Sequence, residues 1–284
     1  MSVRVVSDTA CDLPENLLEK FGITLVPLHV RFGKTELVDR VELSAQEFWR
    51  RCAEDKEFPE TAAPAPGAFQ AAFESAAQEG VSQVVCVTIS SKLSATYEAA
   101  CQAARAVEGA LMVQVVDSES ATLGEGLVVL AAAEHAAQGA DASAVVRRAL
   151  SARERLAVYG AIDTLENLRR GGRIGGAAAA VGALLSIKPV IEVRGGVVEE
   201  ESRQRTRARS LRYLASKVLS AGPLERFAVM GADAADLDEF LSLVSSVRAE
   251  QPTVVGDIGP VIGAHAGKGA IGVAWVKAKS PSGG

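Results

Sequence analysis

Runs of β-branched residues that end in hydroxyl-rich turns recur along this chain, each followed by apolar positions at helical spacing. The pattern is sharpest between Val84 and Ala104. Val84 to Ile89 is a near-continuous β-branched run, as in a strand buried on both faces, and Tyr97, Cys101 and Ala104 then repeat at helical spacing. Ser90, Ser91, Ser94 and Thr96 fall between the two, where the carboxyl end of a strand hands over to the start of a helix. Open α/β sheets bind ligands at such places, and the unpaired N–H groups there favour an anion. Taken alone, Ser94 reads first as a helix cap.

Val3 to Val6 and Leu111 to Val116 repeat the pattern, ending in Ser7-Asp8-Thr9 and Asp117-Ser118-Glu119-Ser120. Three polar strand ends predict one rim of a parallel sheet. Helices are expected from near Pro14 to Gly22 and from Ala45, where Ser44 and Glu47 form a capping box and Leu43 and Phe48 a hydrophobic staple. Further helices run from Pro66 to Gln78, with Phe69, Phe73 and Ala76 on one face, through an Ala-rich stretch to about Ala137, and from Asp141 to about Arg153. Ile23 to Val30 and Glu36 to Val41 flank Gly33-Lys34 as a hairpin. The prolines between Phe58 and Pro66 predict a loop, which tethers Thr61 near the Val84 strand.

The second half has another rhythm. Leu156 to Ile162 predicts a strand and Thr164 to Arg170 a short helix, followed by the glycine-rich turn Gly171 to Gly176 and the small-residue segment Ala177 to Leu185, expected to pack tightly and wall a pocket. Lys188 to Val193 and Val197 to Glu201 flank Gly195-Gly196 as a hairpin. Helices from about Arg207 to Leu219 and Ala234 to Ala249 alternate with strands Phe227 to Met230, Thr253 to Ile258 and Ala270 to Val276. The reading is an α/β protein of two domains. Residues 1–153 form an amino-terminal three-layer domain with a mainly parallel sheet, and residues 154–284 a two-layer α/β domain with a mixed or antiparallel sheet; hairpin 23–41 packs with one or the other.

Composition narrows the function. Asp and Glu number 35 against 30 Lys and Arg, which argues against a polyanion-binding surface and so against nucleic acid as partner. Cys11, Cys52, Cys86 and Cys101 have no C-x-x-C spacing and read as reduced, as in a cytoplasmic protein. No signal-peptide pattern opens the chain and no apolar run is long enough for stable membrane insertion.

Ser94, Asp117 and His265 are the residue types of a serine hydrolase acting on acyl esters, but no serine stands in G-x-S-x-G. The three histidines, His29, His135 and His265, are scattered like the cysteines and offer no metal site. Gly263 to Gly269, read as a glycine-rich loop holding His265, lacks a spacer residue of a phosphate-binding loop and the hydroxyl after Lys268. A binding module uses these residues better. Thr61, Ser94, Thr96 and His265 with neighbouring N–H groups form a nest for a carboxylate, which needs several donors to leave water.

Ordered marks carry a resemblance: Ser7-Asp8 with Asp12-Leu13-Pro14, Thr61-Ala-Ala-Pro64, Ile89-Ser-Ser-Lys-Leu-Ser94-Ala-Thr96-Tyr97 and Asp117-Ser118. Thr164-Leu165-Glu166 with Arg169 to Ile174, Ile187-Lys188-Pro189, Arg205-Thr206 and Gly263-Ala-His265 with Gly267 and Gly269 continue it over nearly the whole length. The chain resembles the DegV family, bacterial fatty-acid-binding proteins that serve as the acyl-carrying component of fatty acid kinase. The resemblance implies a long-chain fatty acid in a tunnel between the domains, its carboxylate held at Thr61, Ala62, Ser94, Ala95 and His265. It also implies no catalysis by the chain alone and no cofactor beyond the bound acid. A separate ATP-dependent kinase subunit makes the acyl phosphate, and Arg173 and Arg205 match residues of that contact. The family commonly has Thr-Ser-Gln-Pro where Thr61-Ala62-Ala63-Pro64 stand, Ser-Gly-Thr at Ser94-Ala95-Thr96, and proline at Lys268.

Overall fold

Strand β1 (Val3–Asp8) leads through a 3-10 turn at Thr9–Cys11 into helix α1 (Glu15–Phe21), which Gly22 ends in the left-handed conformation at φ +59°. The first half continues with β2 (Thr24–Val26), β3 (His29–Phe32), β4 (Thr35–Val38), α2 (Ala45–Glu54), β5 (Glu60–Ala62) and α3 (Pro66–Gln78). It closes with β6 (Gln83–Thr88), α4 (Thr96–Ala106), β7 (Met112–Asp117), α5 (Thr122–Ala137) and α6 (Ala142–Arg153). The second half runs β8 (Leu156–Ala161), α7 (Glu166–Arg170), a 3-10 turn from Gly175, β9 (Lys188–Arg194), β10 (Val197–Gln204) and α8 (Arg207–Leu219). β11 (Leu224–Gly231), α9 (Leu237–Leu243), β12 (Val254–Asp257), α10 (Pro260–Ala266) and β13 (Ile271–Lys277) complete it. This computed structural model describes residues 3–55, 58–180 and 187–279, without the side chains of 178–180, so most of the small-residue segment Ala177 to Leu185 lies outside the described residues.

The fold is α/β with one parallel sheet, one mixed sheet and a small antiparallel sheet of order β4-β3-β5. Strands β2-β1-β6-β7 form the parallel sheet, whose carboxyl ends at Asp8, Thr88 and Asp117 share one rim as expected. Phe69 and Phe73 of α3 and Ala99, Ala100 and Ala103 of α4 cover one face against Val6, Val84 and Cys86. Helices α5 and α6 cover the other face, against Val5, Val85 and Val87. The six-stranded sheet, β10-β9-β8-β13-β11-β12, is antiparallel except for β11 with β12. Leu211 and Leu214 of α8 and Phe240 of α9 bury its outer face against Phe227 and Trp275.

Helix α5 joins the two sheets. It packs on β1 and β6 at one side and on β8, β11 and β13 at the other, so every residue from Thr122 to Ala133 is buried. A helix apolar all round belongs in such a place, and each large side chain withdrawn from water there contributes about 1.5–3 kcal/mol. Two glycines permit the double approach. A Cβ on Gly124 would stand 2.4 Å from Val158 Cγ2, and one on Gly126 would stand 2.6 Å from the Cys11 carbonyl oxygen.

Four expectations need correction. The run Ile23 to Val30 splits: β2 joins the parallel sheet, Pro27 and Leu28 turn the chain, and only β3 pairs with β4 as a hairpin. The proline-rich stretch is not all loop, because extended geometry suits an edge strand, and β5 pairs with β3 there. Ser44 Oγ accepts from the Glu47 N–H at 3.1 Å, but the Glu47 carboxylate binds Arg50 and Arg51 instead of closing the capping box. Helix α9 is shorter than Ala234 to Ala249, ending at Leu243. Helix α10, carried by the second half, rests on β3 and β5, which carry Thr61 toward it. No helix among the described residues is long and apolar enough to cross a membrane.

Candidate functional site

An apolar cavity with an open mouth lies between the rim of the parallel sheet and the inner face of the six-stranded one. Ile89, Leu93 and Ala121 line it from one side and Val158, Ile258 and Val261 from the other. Its floor follows from strand register. Met230, Gly272, Gly160 and Ile191 are directly paired across β11, β13, β8 and β9, so they share one face and all four line the cavity. The two glycines make a trough in this row, and Met230 leans over it, its Cε 2.6 Å from where a Gly272 Cβ would be.

Polar groups gather at one part of this apolar wall. Thr61, on β5, places Oγ1 2.9 Å from Nε2 of His265. His265 does not sit in a loop, as the glycines around it suggested, but in the last turn of α10. Burial, helped by the Arg173 charge, pushes its pKa down to about 4, so the ring is neutral at pH 7. Its Nδ1 is buried with no partner among the described residues. The favoured tautomer therefore carries its proton on Nε2 and donates it to Thr61 Oγ1, which leaves the threonine hydroxyl free to donate onward. Gly171 leaves room for the ring, since a Cβ there would stand 2.2 Å from Nδ1.

Ser94 lines the same cavity, with Oγ 2.8 Å from Thr96 Oγ1 and accepting the Thr96 N–H at 3.3 Å. The cap reading of Ser94 thus holds in part. Asp8 holds the loop's base by accepting the Ile89 N–H at 2.9 Å, and the Ala95 N–H has no partner among the described residues. Ala62 lines the cavity, whereas Ala95 is exposed at the start of α4 and contributes no side chain to the lining. A Ser-His-Asp relay is not assembled. His265 Nε2 faces Thr61, and Asp117 accepts the N–H groups of Ser91 at 3.3 Å and Glu119 at 2.8 Å.

Arg173 also lines the cavity. Its Nε donates to the Leu93 carbonyl at 3.0 Å and its Nη1 to the Gly171 carbonyl at 2.7 Å, tying the glycine-rich turn to the Ser94 loop. Two further glycines, Gly175 and Gly196, serve close approach. A Cβ on Gly175 would stand 2.3 Å from the Val198 carbonyl, and one on Gly196 2.5 Å from Ser90 Oγ, which itself donates to the Gly196 carbonyl at 2.7 Å.

With this arrangement in view, comparison with known proteins is decisive. A family model described as an uncharacterised protein of the DegV family matches residues 2–278. The chain belongs to the DegV family. A DegV domain-containing protein of Mycobacterium bovis is 36% identical over 286 residues, covering 99% of each chain. Among solved structures, a fatty-acid-binding DegV family protein from Thermus thermophilus superposes with a TM-score of 0.87 at 32% identity, covering 98% of this chain and all of that one. A stearic-acid-binding protein from Eubacterium ventriosum gives 0.85 at 27% identity, covering 97% of this chain and 98% of that one.

The remaining motif residues of this DegV chain are placed differently. Arg205, between β10 and α8, is exposed and outside the cavity lining. Lys268 is exposed and pairs with Asp233 at 2.7 Å, so it is a solvated charge. Sequence reasoning missed the buried acids behind the rim. Asp8 and Asp12 are pushed up to about 7 by burial, Asp39 to about 6, and Glu125 upward beside Asp8, with Ser7 donating to it at 3.2 Å. Asp8 and Asp12 stand in the sequence as polar strand ends and family marks, neither of which signals burial, and Asp39 and Glu125 carry no signal at all. Among the described residues no cluster of His, Cys, Asp or Glu could hold a metal ion.

Proposed function

We propose that this protein binds a long-chain fatty acid in the cavity between its sheets and presents the carboxylate to a separate ATP-dependent kinase subunit that forms the acyl phosphate. The observation that carries the reading is the Thr61–His265 pair at one part of an otherwise apolar wall. A carboxylate there receives the Thr61 hydroxyl, the Ser94 hydroxyl and the N–H groups of Ala62 and Ala95, with the Arg173 charge nearby. The acyl chain lies along the trough over Gly272 and Gly160. The fatty-acid binding of the Thermus and Eubacterium proteins supports this reading. Each buried methylene contributes about 0.8 kcal/mol before entropy costs, so long chains bind and short acids do not.

The chain itself performs no chemistry in this account. Presentation needs an accessible head group, and Arg205, exposed beyond the cavity, contacts the partner. We place residues 1–153 and 154–284 as the two domains that hold the acid between them, in a cytoplasmic protein. Titration with a fluorescent long-chain acid, followed by addition of a DegV-associated kinase and ATP, tests both halves. Saturable binding with acyl phosphate formation is expected; ester hydrolysis by the chain alone would instead favour a hydrolase working through Ser94 and His265.

A further inference from the structure

The short 3-10 turn after β1 extends three polar side chains to three different segments of the cavity wall. Asp8, Thr9 and Asp12 are all buried, and none of them lines the cavity. Asp8 Oδ1 accepts the Ala10 N–H at 3.0 Å within the turn, and its Oδ2 accepts the Ile89 N–H at 2.9 Å, at the start of the loop that carries Ser94. Thr9 Oγ1 accepts the Leu28 N–H at 3.1 Å. Leu28 immediately precedes β3, whose His29 and Val30 pair with Ala62 and Thr61 of β5. Asp12 Oδ1 accepts the Gly259 N–H at 3.0 Å, at the cap of α10, the helix that carries His265.

Thr61, Ser94 and His265 thus stand on three separate segments, and each segment hangs by a backbone N–H from one turn. The turn is itself braced. Helix α5 presses on it at Gly126, where a Cβ would stand 2.6 Å from the Cys11 carbonyl oxygen, and the Asp12 N–H returns to the Thr9 carbonyl at 3.4 Å. Asp39 lies beside the Thr9 hydroxyl, and its N–H donates to the Leu28 carbonyl at 3.0 Å, so Leu28 is held on both sides. Gly259 suits its place for the same reason of contact, since a Cβ there would stand 2.7 Å from Asp12 Oδ1. A buried N–H that loses its acceptor must find another, and the segment that bears it shifts. Carboxylate recognition depends on the distance and angle of several donors, whereas apolar packing on the chain has no direction to lose.

We propose that Asp8, Thr9 and Asp12 are positioning residues of the carboxylate site, which set the Ser94 loop, the β3–β5 pair and α10 in register from a single turn. This rests on the reading of Thr61, Ser94 and His265 as head-group residues. The three side chains act through the backbone of the segments they hold and do not touch the acid.

The test compares stearic acid with 1-octadecanol, the same chain without the carboxylate, in competition titrations. Thr9→Val and Asp12→Ala are expected to weaken stearic acid about tenfold and octadecanol less than about threefold. Thr9→Ser and Asp12→Asn keep the accepting oxygen and are expected to restore affinity to within about twofold of the parent. Asp8→Asn should behave like Asp12→Ala, because both Asp8 oxygens accept N–H groups and an amide nitrogen cannot replace one. Thr9→Val, which keeps the shape of the side chain, carries the test if the Asp12 variant does not fold. Equal losses for the two ligands in the folded variants, or no loss of either, refute the positioning role while the parent's preference for the acid stands. A parent that binds both ligands alike, or neither, overturns the head-group reading and the positioning role with it.

Discussion

Thr61 and His265 stand 204 residues apart in the chain, yet Oγ1 of one lies 2.9 Å from Nε2 of the other. The edge strand β5 supplies the first and the last turn of α10 the second, and α10 packs on β5 to bring them together. In the tautomer that carries its proton on Nε2, the ring donates to Thr61 Oγ1 and the threonine hydroxyl is left to donate to an occupant of the cavity. Thr61→Val is expected to weaken long-chain acid binding by about 1–3 kcal/mol, and Ser94→Ala by a similar amount, because a buried carboxylate loses a donor that water cannot replace. Titration with a fluorescent acid checks this; unchanged affinity in a folded variant would remove that residue from the head-group site.

His265 sets a pH signature. Its folded-state pKa is about 4, below the ordinary 6.5, so between those values the unfolded chain holds a proton that the folded one lacks. This residue therefore subtracts stability as pH falls from 6.5 toward 4. Asp8 and Asp12, raised to about 7, act in the opposite sense, adding stability as pH falls through 7 toward their ordinary 3.8. The His265 contribution is thus read by difference, as a steeper acid-side gain in melting temperature for His265→Asn than for the parent. The ring's own NMR signals should stay flat from pH 8 to 5.5, and an inflection near 6.5 would contradict the buried neutral form.

Gly171 and Gly172 separate packing from backbone strain. Gly171 has ordinary φ but would place a Cβ 2.2 Å from His265 Nδ1, whereas Gly172 sits at φ +71° with open space beyond. Gly171→Ala is expected to cost about 1–3 kcal/mol in stability and to weaken acid binding by moving the ring. Gly172→Ala should cost about 1–2 kcal/mol through strain alone and leave affinity unchanged. Thermal melts paired with titrations decide it: equal affinity losses in the two variants would refute the contact argument.

Arg173 and Arg205 should part company. Arg205→Ala is expected to leave acid affinity within about 0.5 kcal/mol, as surface substitutions do, and to reduce acyl phosphate formation when the kinase is present. Arg173→Ala should lower both, because its guanidinium lines the cavity and ties the Leu93 and Gly171 carbonyls together. Binding and coupled phosphorylation measured on one preparation check this, and identical behaviour of the two variants would contradict it.

The trough predicts chain selection. Gly160 tolerates a Cβ, its nearest neighbour being Ile191 Cγ1 at 3.5 Å, so Gly160→Val should fold and fill the floor. Each methylene thereby excluded is worth about 0.8 kcal/mol, and the preferred acid should shorten. Competition among saturated acids of graded length reads the shift. A profile identical to the parent's would place the chain elsewhere.

Much of the framework was legible before the structure. Pro66 at the first helical position and the Phe69, Phe73, Ala76 face mark both ends of α3, and the β-branched run of β6 needed no tertiary information. Local signals failed where a partner distant in sequence decides the outcome. Gly263 reads as a turn residue but serves packing inside α10, since a Cβ there would stand 2.9 Å from Trp49 Cζ2. Prolines around Thr61 hid an edge strand whose reason is β3. Candidate head-group residues came from hydroxyls at strand ends and from family resemblance, while the Thr61–His265 contact depends on the docking of α10, which no spacing encodes. Arg173 could be matched to a motif, but its place on the cavity wall comes from two carbonyls that only the folded turn presents.

The central claim is that the cavity holds one long-chain acid. Native mass spectrometry of the purified protein tests it most directly. The expected result is a species heavier than the 29.5 kDa chain by one long-chain fatty acid, released as the free acid on denaturation and re-formed on adding stearic acid to stripped protein. A mass equal to the bare chain both before and after stearic acid is added would contradict it.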